Sequence, residues 1–510
     1  MNSLIPLFIV VPLGSAFIMA ILGRFIKDFG KYLINLGLLF LVGLTVKLIL
    51  NSQETLIYKV GGFANAGDIP IAIYMVVDGF TKILLLIISV VGFLVALYSI
   101  SYTKQYTAER KFYILYSLML AGMYGVVVSG DIFNIYVFLE IASIASYALV
   151  AFGIQKQQLE ASFKYQILGG VASMLILMGI GFIYWSTGTL NLADIATQLT
   201  ADTIIMKFIA VLMIVGFGLK AAIFPFHAWL PDAHSSAPSP ISAMLSGVLI
   251  KAIGIYVIFR IFFNMFALSY EISMVITVLG TLSMIIGGLL AIGQWDMKRL
   301  LAYSSISQMG YVFLGVGIGM LVLAQKGNPA VAAFSILGGL FHLLNHAMFK
   351  GLLFLGAGAV EYRTETRDMK QLGGLSEVMP VTAGTSMAAS LAISGIPPFN
   401  GFFSKLIIII AAVQAGYVTL ALLAVVVSII TIGYFMKMQK YTFFNNDGSF
   451  WKNKKIKEVP FTMAFAMILM AALCLGMSLL AIPTIRDIVL TPAVDALMET
   501  VQYSKTVIGI

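Results

Sequence analysis

Apolar runs of about twenty residues recur from one end of the chain to the other, and each is long enough to cross a hydrocarbon core of about 30 Å as an α-helix. IPLFIVVPLGSAFIMAIL near the amino terminus and ALLAVVVSIITIGYF near the carboxyl terminus are two of them. Strands of a membrane barrel would be half that length and would alternate polar with apolar residues. The rest of the composition leaves no room for a water-soluble fold: 60% of the 510 residues are hydrophobic and only 10% are charged, with a mean hydropathy of +1.00. The chain is therefore expected to be an all-α polytopic membrane protein.

Reading the runs against Gly, Pro and charged breaks gives about fourteen spans, near 4–23, 31–50, 77–101, 112–129, 131–153, 162–187, 205–226, 241–265, 272–292, 300–323, 330–358, 378–412, 413–436 and 460–482. No basic residue precedes the first run, whereas Arg24, Lys27 and Lys31 follow it. That is the reverse of a signal peptide, so the first span is expected to be retained with its amino terminus outside. Alternating sides from there puts 19 basic residues on one face, including Lys104, Arg110, Lys156, Lys164, Lys298, Arg299, Arg363 and Arg367. The other face receives six: Lys59, Lys207, Arg260, Lys326, Arg486 and Lys505. The first face is expected to be cytoplasmic, with both termini outside.

The same count disposes of the formal net charge of +9. The excess marks topology and implies no nucleic-acid partner. Cysteine occurs once, at Cys474, which excludes an internal disulfide and a multi-thiolate metal or cluster site. No cofactor is expected. The longest polar connections, near 51–76, 359–377 and 437–459, are too short to fold alone.

Six lysines remain inside or at the ends of spans: Lys47, Lys82, Lys220, Lys251, Lys350 and Lys405. An ionisable group at mid-bilayer costs at least a few kcal/mol and is by default a functional candidate. Lys47 is close enough to a span end to snorkel. Lys251, midway along its span, is not. Glu140, in FNIYVFLEIASIASY, is the one acid near the middle of a span, and scarcity makes Lys220 its expected partner. Burial favours the neutral forms of both groups and a close ion pair favours the charged forms, so a lysine between those influences can load and release a proton. A static bridge that fixes helix orientation is the competing reading.

In AVAAFSILGGLFHLLNHAMFKGLLFLGAG, His342, His346 and Lys350 follow one another at intervals of four and line one helical face. Two histidines at that spacing can bind zinc, but no carboxylate or thiolate stands nearby in sequence to complete a site. A hydrogen-bonded stripe facing a hydrated cavity, with Ser335 and Asn345 as companions, competes with ordinary polar contacts between helices. No metal is expected.

Gly216, Gly218, Pro225 and Pro231 interrupt the seventh run, and Gly395, Pro397, Pro398 and Gly401 the twelfth, in SGIPPFNGFFSKL. Each break lies within a few residues of a lysine, Lys220 or Lys405. Paired interruptions at corresponding places in two halves point to an inverted-repeat transporter, since unwinding frees backbone carbonyls and admits water. An offset of five spans makes spans 4–8 (112–265) and 9–13 (272–440) the repeats, preceded by three spans (1–111) and followed by the last span and a tail (460–510).

These stretches, with GFGLKAAIFPFHAWLPDAHSSAPSPISAMLSGVLIKAIGIY and WDMKRLLAYSSISQMGY, carry a resemblance over essentially the whole chain. The sequence resembles the antiporter-type subunits of the complex I superfamily, above all the D subunit of Mrp-type sodium/proton antiporters and its counterpart in archaeal membrane-bound hydrogenase and sulfane-sulfur reductase complexes. The resemblance implies fourteen helices with inverted repeats of helices 4–8 and 9–13, and broken helices 7 and 12. It implies that Glu140 is the carboxylate of the fifth helix, Lys220 the lysine of the broken seventh and Lys251 that of the eighth. His342 or His346 matches the histidine of the eleventh. Lys405 matches the charged residue of the broken twelfth, where a sister subunit of complex I has glutamate.

The expected function is proton translocation through a Glu/Lys/His relay of Glu140, Lys220, Lys251, His342, His346 and Lys405. Lys350 is an accessory candidate, and so are His227, Asp232 and His234, which read as a cytoplasmic rim. The partners implied are H+, Na+ in the exchanger reading, the lipid bilayer and other membrane subunits of one complex in a prokaryotic cell membrane. The alternative is the ion-pumping module of a hydrogenase or sulfur-reductase complex, in which this chain carries no redox centre of its own. An independent solute transporter and a membrane peptidase using Ser235 and His234 are weaker readings.

Overall fold

The computed structural model describes all residues except 24, 27, 52–53, 64–69, 200–202, 267, 446–447 and 509–510. Arg24 and Lys27, counted above among the basic flanks, lie outside the described residues. Thirteen helices among the described residues are long and apolar enough to cross a membrane. The first to eleventh spans are Asn2–Leu22, Phe29–Asn51, Gly79–Gln105, Glu109–Val128, Ile132–Val150, Lys156–Thr187, Ile204–Ala221, Ser239–Asn264, Tyr270–Ile292, Met297–Ala324 and Pro329–Thr364. Val418–Phe444 and Phe461–Ala481 are the thirteenth and fourteenth. The twelfth is two halves, Pro380–Ser394 and Asn400–Gln414, each too short to cross alone. The chain is an all-α polytopic membrane protein.

Polar residues set the span starts. Asp78 accepts from Thr81 N at 2.9 Å, Asp131 from Asn134 N at 2.7 Å and Asp296 from Arg299 N at 2.9 Å. Each satisfies one of the amide groups that a helix start leaves without a partner.

The spans sort by what covers them. The first, second, sixth and thirteenth present large apolar side chains outward, among them Phe17, Leu36, Met174 and Leu422, as a lipid-facing surface should. The eighth, tenth and eleventh are buried along nearly their whole length. Glycines let these central helices approach. A Cβ at Gly254 of the eighth span would come within 2.7 Å of Ala221 Cα, and one at Gly247 within 3.3 Å of the Ala347 carbonyl in the eleventh. A Cβ at Gly315 of the tenth would lie 3.0 Å from Gly339 of the eleventh.

The junctions that follow odd-numbered spans share one face. A cavity of about 270 Å³ there is lined from five of them, by Gln105, Gln155, Pro238, Lys298 and Glu361 among others. Beside it a cavity of about 570 Å³ is lined by Lys164, Asp232, Asp296, Arg299 and Arg367.

Three features depart from the expectations. The 51–76 connection contains a small antiparallel sheet, Leu56–Lys59 with Tyr74–Val77, Leu56 opposite Val77. After the last span, helices Pro483–Val489, Thr491–Met498 and Thr500–Ile508 fold back, the second against the third and eighth spans and the last against the eighth span and the short helix Leu192–Gln198. Finally, basic residues assigned to the surface, Lys31, Arg260 and Lys298 among them, are buried. Arg260 forms a bidentate pair with Asp78 at 2.7 and 2.9 Å, and Lys298 meets Glu361 at 2.8 Å. A charge count sees only that a residue is near a span end; an acid within reach, Asp78 or Glu361, is what draws Arg260 and Lys298 inward.

Candidate functional site

The seventh span ends at Ala221 because Ala222 takes a left-handed conformation with φ 53° and Pro225 cannot continue a helix. The break leaves carbonyls without intrahelical partners. The indole of Trp229, on the short helix Trp229–Ser236 beyond the break, donates at 2.9 Å to Leu219 O, which also accepts from the capping Ala222 N–H at 3.2 Å. Lys220 occupies the last turn of the interrupted helix, where the helix dipole favours a cation. Its ammonium donates to Ser143 Oγ at 3.1 Å and lies 3.4 Å from Glu140 Oε1, both on the fifth span. The Lys220 side chain is 2% exposed and that of Glu140 27%. Ser173 of the sixth span donates its hydroxyl to the same Glu140 oxygen.

The twelfth span repeats the device with a different connection. Its first half ends at Ser394 with Gly395 at φ 78°. A Cβ on Gly401, just beyond the break, would sit 1.9 Å from Ala392 O, so only glycine lets the halves pass this closely. Lys405 belongs to the second half but reaches back across the break, donating to Ile393 O at 2.8 Å and Ser428 Oγ at 3.4 Å. Both lysines thus place their charge at the carboxyl end of an interrupted helix.

Lys251 is fully buried where the eighth span opens into wide π-helical turns, Leu245–Leu249 and Lys251–Ile255. Such turns favour functional positions because they release backbone groups from the regular ladder. Its ammonium donates to Ser246 O at 2.7 Å. It makes no hydrogen bond to Lys220's partners. The two neighbourhoods touch through Gly254 and Ala221 instead.

On the eleventh span, His342, His346 and Lys350 are all fully buried. His342 is held at both ring nitrogens, by Ser404 Oγ at 3.0 Å and Gln308 Oε1 at 3.2 Å. His346 has no hydrogen-bond partner at either nitrogen among the described residues. Lys350 donates to Leu301 O at 2.7 Å and to the hydroxyl of Ser304. Asn345 donates to Asn400 O at 3.0 Å, tying this helix to the twelfth-span break, whereas Ser335 bonds to Gly315 O and stays apart.

The accessory candidates separate. Asp232 lines the 570 Å³ cavity, 3.1 Å from Arg299 and 3.3 Å from Lys164. His227 is half-buried. His234 is not on the rim: it is fully buried, its ring 5.5 Å from that of Phe354 and 6.4 Å from that of Trp229. The helix Trp229–Ser236 turns this residue toward the core and Asp232 toward the cavity.

The feature missed from the sequence is the tenth span. Lys298, Leu301, Ser305, Gln308 and Tyr311 recur at helical spacing on one side of it. They meet Glu361, Lys350, Ser246, His342 and Lys405 in turn. Ser305 Oγ lies 2.8 Å from Ser246 Oγ and bonds to the same Leu301 carbonyl that Lys350 uses. The Lys405 ammonium stands 4.9 Å from the Tyr311 ring centre. In WDMKRLLAYSSISQMGY the polar spacing was present, but hydroxyls and one glutamine do not advertise themselves as charges do. Together the buried lysines, histidines and hydroxyls form a polar seam through the middle of an apolar helix bundle. Such a seam can hold and move protons.

The matches to known proteins run along this seam. The family model described as NADH:quinone oxidoreductase/Mrp antiporter, TM, matches residues 129–431. A second, complex I chain 5 N-terminus, matches 63–113. The chain is 36% identical to the N subunit of the NADH-quinone oxidoreductase of Desulforudis audaxviator, over 72% of each chain. It is 35% identical to the D subunit of the Na(+)/H(+) antiporter of Alkalihalophilus pseudofirmus, over 73% of this chain and 74% of that one. Among solved structures, a chain of the Mrp complex from Dietzia sp. superposes with a TM-score of 0.87 at 26% identity, covering 100% of this chain and 99% of that one. A chain of the archaeal membrane-bound sulfane sulfur reductase does so with a TM-score of 0.85 at 29% identity, with 99% of each covered. With the family model matching more than half of its length, this chain belongs to the family of antiporter-like membrane subunits shared by NADH:quinone oxidoreductase and Mrp antiporters.

Proposed function

We propose that this chain is the proton-translocating subunit of a multisubunit complex, carrying protons along Glu140, Lys220, Lys251, the His342/His346 stripe and Lys405. The observation that carries the reading is the Glu140–Lys220 contact at the end of an interrupted helix. When the pair is closed, the carboxylate stabilises the ammonium. When it opens, a buried ammonium without a partner is costly, and its proton is driven toward Lys251. Moving one charge across 100 mV takes about 2.3 kcal/mol, and the rearrangement of one buried ion pair is of that order. Lys405 exchanges protons with one membrane face. In this reading spans 4–8 and 9–13 are the two inverted halves, the basic flanks lie in the cytoplasm of a prokaryotic cell and both termini lie outside.

The test is ion flux in vesicles reconstituted with the whole complex, comparing wild type with Glu140→Ala and Lys220→Ala. Both variants should lose proton movement; unchanged flux in both would remove the pair from the mechanism.

A second reading, a redox-driven pump module, is supported by the 29% identity to the sulfane sulfur reductase chain. Neighbouring coding sequences for a large hydrogenase-like protein and cysteine-rich partners would favour it over sodium/proton exchange.

A further inference from the structure

Glu361 and Lys298 form a second pair of an acid with a buried lysine that the relay above does not use. Its geometry repeats that of Glu140 and Lys220. The lysine side chain is 2% exposed, the carboxylate 31%, and the two are 2.8 Å apart. A serine again attends the acid: Ser239 Oγ donates to Glu361 Oε2 at 3.5 Å. Arg367 stands 3.5 Å from the other carboxylate oxygen and is itself tied to Asp296 at 2.5 Å.

Position distinguishes this pair from a surface ion pair. Glu361 and Lys298 both line the 270 Å³ cavity on the face shared by the odd-to-even junctions. Lys298 also heads the polar side of the tenth span, three residues before Leu301 and seven before Ser305. Glu361 is eleven residues after Lys350 on the eleventh span, three helical turns and about 16 Å along the same face. Between them Gly358 admits Ser239, whose Cβ would be 2.3 Å from a Cβ placed there, and Tyr98, whose hydroxyl would be 3.1 Å away. Farther in stand His234 and Phe354, the latter's ring centre 5.9 Å from the Lys350 ammonium.

We propose that Glu361, held by Lys298, is the group that takes protons from the polar cavity and passes them inward toward Lys350. This rests on the reading of the chain as a proton carrier and adds where its protons are taken up. A hydrated proton from the cavity binds the Glu361 carboxylate and leaves a water molecule behind. The charged groups facing that carboxyl are then Lys298 and Arg367, both cations, and their repulsion of the added charge favours its onward transfer. The proton ends on Lys350 once that lysine has passed its own proton onward, and the Glu361 carboxylate is regenerated beside Lys298.

The test uses the whole complex in vesicles, with Glu361→Gln, Glu361→Asp and Glu140→Gln measured side by side. Glu361→Gln should assemble and lose about tenfold or more in the initial rate of proton transport, the scale of a lost acid–base group. Acidifying the cavity side should recover much of that loss, and Glu361→Asp should retain most of the rate. A purely structural clamp would show no rescue by acid. If Glu361→Gln transports within about twofold of wild type while Glu140→Gln does not transport, the uptake role is wrong and the carrier reading stands. If neither variant slows transport, the carrier reading itself fails. Should Glu361→Gln not assemble, Gln157→Cys at the cavity wall decides. Labelling it with a bulky, membrane-impermeant thiol reagent should cut its transport about tenfold relative to the same unlabelled variant, and unaltered transport would overturn the proposal.

Discussion

The hydroxyls of Ser246 and Ser305 lie 2.8 Å apart and join the eighth span to the tenth. Ser246 also supplies the carbonyl that holds Lys251, and Ser305 shares with Lys350 the carbonyl of Leu301. Two buried lysines on different helices are therefore connected through two serines.

Removing either hydroxyl should leave the other buried without that partner, at a cost of about 1–3 kcal/mol. Ser246→Ala and Ser305→Ala should each slow proton transport about tenfold if that cost falls on the transfer step. The double variant should be little worse than either single one, because both remove the same contact. Transport assays on the four proteins of this cycle, with assembly checked in parallel, measure it. Additive losses would mean that the serines act separately.

The glycine contacts predict where added bulk is not tolerated. Gly254→Val drives a side chain into Ala221, next to Lys220, and Gly401→Ala drives one into the Ala392 carbonyl. Backbone cannot yield as a flexible side chain does, so each change should destabilise the protein by about 1–3 kcal/mol through overpacking. Thermal unfolding in detergent reads the loss. Gly14, with nothing near its Cβ position, is the control whose alanine variant should unfold as wild type does.

At the other end of the eighth span, Arg260 is clamped by Asp78 and also bonds Asn264 Oδ1 at 3.0 Å, while Asn264 Nδ2 reaches Ala496 O at 3.0 Å. The Tyr503 ring centre is 5.3 Å from the guanidinium. Asp78→Ala should cost about 3–5 kcal/mol, since it strands a buried charge. It should also loosen the carboxyl-terminal helices, seen as faster proteolysis after the last span. Asp78→Ala with Arg260→Leu should recover part of the stability, because no charge is then left unpaired.

What the sequence made legible follows from how each interaction announces itself. Length and apolarity revealed the spans, and Gly–Pro clusters beside lysines revealed both breaks. Glu140 and Lys220 were matched by scarcity, since a lone carboxylate in hydrocarbon needs a cation. Lys298 and Arg260 were misplaced because their acids, Glu361 and Asp78, are distant in sequence and near span ends, where charge is ordinarily solvated. His234 was misplaced because an eight-residue helix beyond a break has no periodicity long enough to orient it. The serine contacts of the tenth span depend on close approach of three helices, which hydropathy does not encode.

The central claim is that Lys220 must give up its proton and does more than hold Glu140 in place. Lys220→Arg separates these roles, because arginine keeps the ion pair but stays charged at any accessible pH. Proton flux in vesicles reconstituted with the complex carrying Lys220→Arg should fall to the level of Lys220→Ala while the complex still assembles. Flux at the wild-type level would contradict the account and leave Glu140–Lys220 as a static bridge.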